Sequence, residues 1–516
     1  MQSDFIPRLN RRQFLGQSIG SGALFGGAVG FLSQLPPVSA DEAKVPHALI
    51  REGTGVESTV RLIEETPREK LLEEVAARIR SGLSYQELLA GLMLAGVRNV
   101  QPRPSVGFKF HAVLVIKSAH LASMASADAD RWLPIFWSLD RFKSAQAETQ
   151  KSNGWRMEAV DEGKVPPARK AREAFVHAMD RWDEGAADVA AAALARTAGR
   201  NECFELFARY GARDFRDIGH KAIYVANSFR TLECIGWQHA EPVLRSLAYA
   251  LLKHDGNNPA DGEAAADMPW RQNVELAAKV EDGWQQGTNN SPAVSDLLEA
   301  FRTASDAGAA DAVLAALKKG ISPQVAWDAV LAQAGELLMR KRGILTLHAV
   351  TTANALRFTY EASGDSQTRL MMLLQAASFL PLFRDAAKVG NDADQIRVDR
   401  FEPAPAGNDK PQDERSAMEA IFADAGRDRT SAARKTLAYL DNAGSAQSLL
   451  HAARRLVFLK GNDAHDYKFS SAVLEDYGHI SPAWRNRFLA ASMFYLPGSG
   501  QKDNALVKRT RAALEA

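Results

Sequence analysis

RIRSGLSYQELLAGLMLAGVRNV, Arg78–Val100, followed closely by GFKFHAVLVIKSAHLAS, Gly107–Ser123, decides the fold class. Apolar residues recur at three- and four-residue spacing through both segments, the period of helices buried on one face. A second window has the same design: ALKKGISPQVAWDAVLAQAGELL and then GILTLHAVTTANALRFTYEASGDSQTRLMMLLQAASFL, within Ala316–Leu380. The two share Gly82 with Gly320, Ser84 with Ser322, and His-Ala-Val at 111 and 348. A third window spans Ala193–Leu252 around DIGHKAIYVANSF, and a weaker fourth spans Ala433–Leu496 around NDAHDYKFSSAVL. Each reads as a helix, a turn, a helix opening with His, another turn and a closing helix. His111, His220, His348 and His465 are thus expected at equivalent places in four units.

Outward from these windows the chain reads as helix almost throughout. Glu69–Ser81, Arg172–Ala195, Asp311–Lys319 and Ser431–Asp441 are rich in Ala, Leu, Glu and Arg with helical spacing. Asp255–Met268 and Phe401–Glu414, and more weakly Ser152–Pro167, read as loops from their Gly, Pro, Asn and Asp content. The expected fold is all-α: a pseudo-repetitive multi-helical array of four His-bearing units closing around a central site. One large helical domain is expected over 67–516, with units near 67–150, 170–255, 296–390 and 415–500, after an N-terminal extension over 41–66.

Residues 1–40 read as an export signal. Asn10-Arg11-Arg12-Gln13-Phe14-Leu15 has the twin-arginine pattern, a weakly apolar Gly-rich stretch follows to Leu35, and Val38-Ser39-Ala40 is a small-x-small cleavage site. A membrane anchor is the alternative, but Gln17, Ser18, Ser21, Ser33 and Gln34 make that stretch a poor span. The expectation is a periplasmic chain starting at Asp41, delivered by the twin-arginine machinery. That route carries folded proteins, commonly with a cofactor already loaded.

The 63 Lys plus Arg nearly cancel the 62 Asp plus Glu among 516 residues, so no global field attracts nucleic acid. Short basic runs such as Arg169–Arg172 read as solvated helix faces. Cys203 and Cys234 are the only cysteines, which excludes a disulfide framework, a Cys-based zinc ribbon and a CxxCH haem attachment. The two either pair in an oxidising compartment or stay as buried free thiols. GxSxG, GxxxxGKS/T, HExxH, EF-hand and dinucleotide fingerprints are absent, so neither haem nor a bound dinucleotide is expected.

A lone His at a helix start is ordinarily a satisfied polar group. Four at one place in otherwise diverged units are better explained by a shared metal, because imidazoles gather mainly to ligate transition metals. Catalytic zinc normally takes three protein ligands, so four neutral nitrogens plus one anion suit iron, with manganese or zinc as alternatives. Lys468 lies three residues after His465 on the same helix face, while Asp466 points elsewhere. An ammonium there would repel a metal, whereas carbamylation by carbon dioxide would make it a carboxylate ligand. An exposed ammonium paired with an acid is the simpler reading of Lys468 alone.

The segments GFKFHAVLVIKSAHLA, DIGHKAIYVANSF, LHAVTTANALR and NDAHDYKFSSAVL, in this order and spacing, resemble those of the questin oxidase-like family. The resemblance is distant and covers most of the chain after residue 40. It implies an all-helical oxygenase that opens anthraquinone-type rings with molecular oxygen. It also implies a non-haem iron held by His111, His220, His348 and His465, with Lys468 as a carboxylated ligand. The export signal sets this chain apart from family members that act inside cells.

Other residues are secondary. His120, nine residues after His111, is out of phase with it on a straight helix. His239 starts the closing helix of the second unit, as its cap or as an acid–base group beside the metal. Tyr224, Trp237, Phe229 and Phe358 either line an aromatic substrate pocket or belong to the core. The leading expectation is an exported, metal-dependent oxygenase of mono- or dioxygenase type acting on an aromatic or quinone-like small molecule. A non-enzymatic periplasmic helical-repeat scaffold and a metal-dependent hydrolase are the rivals. The scaffold predicts scattered histidines; a metal site predicts ring nitrogens within about 3–4 Å of one another.

Overall fold

The structure, a computed structural model, describes residues 55–102, 109–252, 258–390, 396–405 and 413–515. The twin-arginine segment, Arg11 and Arg12 included, and the cleavage site at Ala40 lie outside the described residues. The fold is all-α, 75% helical. Among the described residues one isolated bridge, Thr288 to Ile321, is the only strand-like pairing. No helix of the described residues is long and apolar enough to cross a membrane.

The compact body begins at Val56. The Val56–Glu65 helix, placed by sequence in the N-terminal extension, packs on the Tyr85–Asn99 helix with Val60 and Ile63 fully buried. The Arg172–Ala195 stretch, read as helical throughout, is two helices, Ala168–Asp180 and Glu184–Thr197. Trp182 turns left-handed between them (φ 61°), and the Asp183 side chain caps the second by accepting from Ala186 N–H. Asp365 caps the Ser366–Ala386 helix in the same way.

Gly82 and Gly320 share a corner. Each has positive φ just after a helix. In each, the glycine N–H and the next N–H bond back to the last turn: Gly82 to Ile79 O and Leu83 to Arg78 O, Gly320 to Leu317 O and Ile321 to Ala316 O. Two residues after each glycine, Ser84 and Ser322 cap the next helix. Ala443 (φ 62°), then Gly444 N–H to Tyr439 O and the Ser445 cap, build this corner a third time. The third window lacks it: Ala198 and Gly199 pass between helices with negative φ.

The core positions the site. The His220–Ile235 helix packs on Ile344–Ala362, which packs on Ala464–His479. The latter packs on Ile116–Met124, which returns to His220–Ile235. These four elements close a ring in chain order. The buried apolar shell around it includes Trp327, Phe136, Phe175, Phe207 and Phe379. Each such side chain contributes roughly 1.5–3 kcal/mol on removal from water.

Candidate metal centre

The four histidines meet inside this ring, one ligand nitrogen from each lying within 4.8 Å of the others. His220 Nε2 is 3.1 Å from His111 Nε2 and 2.8 Å from His348 Nε2. Ring centroids of His111 and His465 are 4.4 Å apart, and those of His348 and His465 5.0 Å. Nitrogens about 2.1 Å from one ion can stand at most about 4.2 Å apart, so closure on an ion asks for a side-chain shift of about half an ångström.

Each histidine arrives by a different local device. His111 opens a single turn, His111–Leu114, behind the fully buried Phe110. His220 opens its helix after three successive left-handed residues, Asp217 (φ 56°), Ile218 (φ 49°) and Gly219 (φ 81°). A β-branched residue there is strained, so packing must hold the turn. A Cβ on Gly219 would meet Thr352 Oγ1 at 2.2 Å, so only glycine lets this turn lie against the His348 helix. The turn brings the Asp217 carbonyl to 2.6 Å from His220 Nδ1. His348 does not open its helix, as the sequence pattern suggested, but sits in the second turn of Ile344–Ala362. Its Nδ1 is 2.6 Å from the Ile344 carbonyl. His465 is the second residue of Ala464–His479, and its ring Nδ1 and backbone N–H both bond to the carboxylate of the N-cap Asp463.

These partners set the chemistry. A carbonyl can only accept, so Nδ1 of His220 and of His348 carries the proton and Nε2 offers a lone pair. Burial first, then the nearby Lys468 cation, holds both rings well below the ordinary imidazole range, so both are neutral. Two lone pairs 2.8 Å apart repel unless a cation lies between them. The fixed Nδ1 contacts are those that orient histidine on metals. His465 Nε2 is buried and has no hydrogen-bond partner among the described residues, again fitting a ligand atom. Asp463, held well below the carboxylate range by its hydrogen bond to His465, supplies a negative charge beside the cluster. The four clustered histidines, three buried and His465 partly so, can therefore bind a metal ion.

Lys468 is not the exposed, acid-paired ammonium that its sequence alone favoured. It is 3% exposed, its Nζ lacks a hydrogen-bond partner among the described residues, and burial pulls its pKa down to about 7. It lines a small polar cavity with Ser118, Asn227, Thr351, Asn354 and Ser471, to which all four elements of the ring contribute. Asp466 indeed points elsewhere, completing the capping box by accepting from the Asn462 and Asp463 N–H groups.

His239 stands at the N-cap of Ala240–Leu251 without a side-chain cap hydrogen bond, and is not one of the four clustered histidines. Burial and the Arg98 cation lower its pKa. Tyr224 lies one turn after His220, with its hydroxyl on Ser246 Oγ at 2.8 Å and its ring edge-on to Phe110. Phe229 packs on Phe204 and Trp237, and Phe358 on Phe204 and the Arg230 guanidinium. These three sit within an aromatic cluster of the core. Cys203 and Cys234 are both free thiols. Sequence reasoning missed Asp463 and the Asp217–Gly219 turn. Their signals were an Asp two residues before His465, matching an N-cap, and the glycine immediately before His220.

No family model, curated protein or solved structure matches this chain.

Proposed function

We propose that the chain is a metal-dependent oxygenase holding one ion, iron by preference, between His111, His220, His348 and His465. The observation that carries this reading is the convergence of four imidazoles, three buried and that of His465 partly so, two with Nδ1 tied to carbonyls and a third tied to Asp463. A scaffold predicts the same residues far apart. When bound, the ion would supply Lewis-acidic, redox-active chemistry toward molecular oxygen. The protein's own part is to keep the nitrogens neutral, aim them and exclude water.

Lys468 is the proposed fifth ligand. Its pKa near 7 leaves much of the amine neutral at neutral pH. A neutral amine adds carbon dioxide to give a carbamate and one released proton, and the carbamate would offset the charge of an ion ringed by neutral nitrogens. The resemblance to the questin oxidase-like family supports this set and supports an aromatic or quinone-like substrate. Tyr224, one turn from His220, is the pocket-lining candidate nearest the centre in sequence. The twin-arginine pattern supports periplasmic export, which would deliver the protein with its metal already bound.

Elemental analysis of protein purified from its native host should find one transition-metal ion per chain. The double substitution of His220 and His348 by Ala should abolish it, and His465→Ala should weaken it. Oxygen consumption with hydroxylated anthraquinones should depend on that metal. Native protein without a transition metal would end this reading; metal without oxygen uptake would favour a hydrolase.

A further inference from the structure

A second group of reactive side chains joins the far end of the His220–Ile235 helix to Ile116–Met124, the helix that follows the His111 turn. Cys234 is in the last turn of the His220–Ile235 helix, about 20 Å along it from His220 at 1.5 Å per residue. Its sulfur is 3.4 Å from His120 Nε2 and 3.5 Å from Lys117 Nζ, and 3.3 Å from the Arg230 carbonyl. His120 Nδ1 is 3.1 Å from the Tyr85 hydroxyl. His120, out of phase with the metal cluster, is therefore placed for a different task.

Lys117 gives the cluster its meaning. It is 8% exposed, and among the described residues its ammonium has the Cys234 sulfur as hydrogen-bond partner and no carboxylate. From 3.5 Å the Lys117 ammonium can stabilise negative charge that develops on the Cys234 sulfur as its proton leaves. The other charges nearby are otherwise engaged: Glu233 with Arg200, and Arg230 with Glu475. Arg131 acts on Tyr85. Burial and Lys117 pull His120 down to about 4, so its ring is neutral and its Nε2 can accept the thiol proton. Cys203 provides the contrast: its thiol is fully buried, pushed up to about 12 by burial, and lies 3.8 Å from the Leu194 carbonyl.

We infer that Cys234 is a nucleophilic thiol, activated by His120 and Lys117, and a site of covalent modification by small soft electrophiles of the peroxide class. In the step, a sulfur lone pair attacks one peroxide oxygen and the oxygen–oxygen bond breaks. Sulfur is oxidised by two electrons to a sulfenic acid, and the peroxide is reduced. The thiol proton passes through His120 Nε2 to the departing hydroxide, which leaves as water.

The test treats the native full-length chain with hydrogen peroxide and traps sulfenic acid with dimedone, followed by peptide mass spectrometry. The adduct should form at Cys234 and not at Cys203. Lys117→Met should slow it about tenfold, and Lys117→Arg, which keeps the cation, should restore most of the rate. His120→Asn should slow it by a similar factor. Labelling of Cys203 in a variant reports loss of the fold, and His120→Asn then carries the test. No adduct at Cys234, equal labelling of both cysteines in the native chain, or wild-type rates in Lys117→Met and His120→Asn would each overturn the inference.

Discussion

His220 and His465 enter the same cluster by opposite means. His220 is set by backbone: three left-handed residues, a carbonyl on Nδ1, and a glycine pressed against Thr352. His465 is set by charge: the Asp463 carboxylate caps the helix and holds the ring, with the buried Lys468 one turn further on. A backbone-held ligand cannot move without unfolding its turn, whereas a carboxylate-held ligand can swing and change its electron donation. The difference assigns rigidity to the His220 side of the centre and tunability to the His465 side.

The largest effect should come from breaking the rigid side. Gly219→Ala places a Cβ 2.2 Å from Thr352 Oγ1 at a φ that alanine rarely adopts. We expect a loss of roughly 3 kcal/mol of stability by denaturant unfolding, together with loss of bound metal. Equal stability and full metal content would show that His220 is not held by its turn.

How much of this was legible in the sequence follows the same divide. The helices were legible because three- and four-residue spacing of apolar side chains is a local property, as in Tyr85–Asn99 and Ile344–Ala362. The histidine set was legible because each of four apolar helical windows carries one histidine near its start, although the structure sets each in a different local position. The turn before His220 was not, because nothing local makes Asp217 and Ile218 left-handed; Thr352, more than a hundred residues away, presses against that turn. The burial of Lys468 was hidden for the same reason, since Ser118, Asn227 and Thr351 from three other elements enclose it. Phe229 and Phe358 have positions near the His helices but turn toward Phe204, with Trp237 packed on Phe229, a choice that helical spacing alone does not make.

The charge-dependent side should show itself in pH. Asp476, near the other end of the His465 helix, is fully buried, and burial raises its pKa to about 8 despite the hydrogen bond from Asn354 at 3.0 Å. Its folded pKa lies above the unfolded value near 3.9, so its contribution is whole below about pH 4 and is lost as pH rises toward 8. Between those limits one such group changes stability by at most about 1.4 kcal/mol per pH unit. Asp476→Asn, which mimics the neutral acid, should match the wild type near pH 4 and exceed its stability near pH 8 in thermal unfolding. Parallel curves for the two proteins would place the ionised form in the native state.

A finer test separates the two jobs of Asp463. Asp463→Asn keeps a side-chain oxygen that can cap the helix but removes the charge on His465, and Asp463→Ser keeps a cap without reaching the ring as an anion. Both should leave stability within about 0.5 kcal/mol, because Asn and Ser cap helices nearly as well as Asp. Both should lower metal affinity by about 10–100-fold, the usual cost of removing a group that orients a ligating histidine. Metal titration monitored by competition with a chelator reads the affinity, and denaturant unfolding of the metal-free proteins reads the cap. If affinity holds while stability falls, Asp463 serves the helix alone. The tunable side of the centre would then rest on Lys468, because the carboxylate would have no part in how His465 meets the metal.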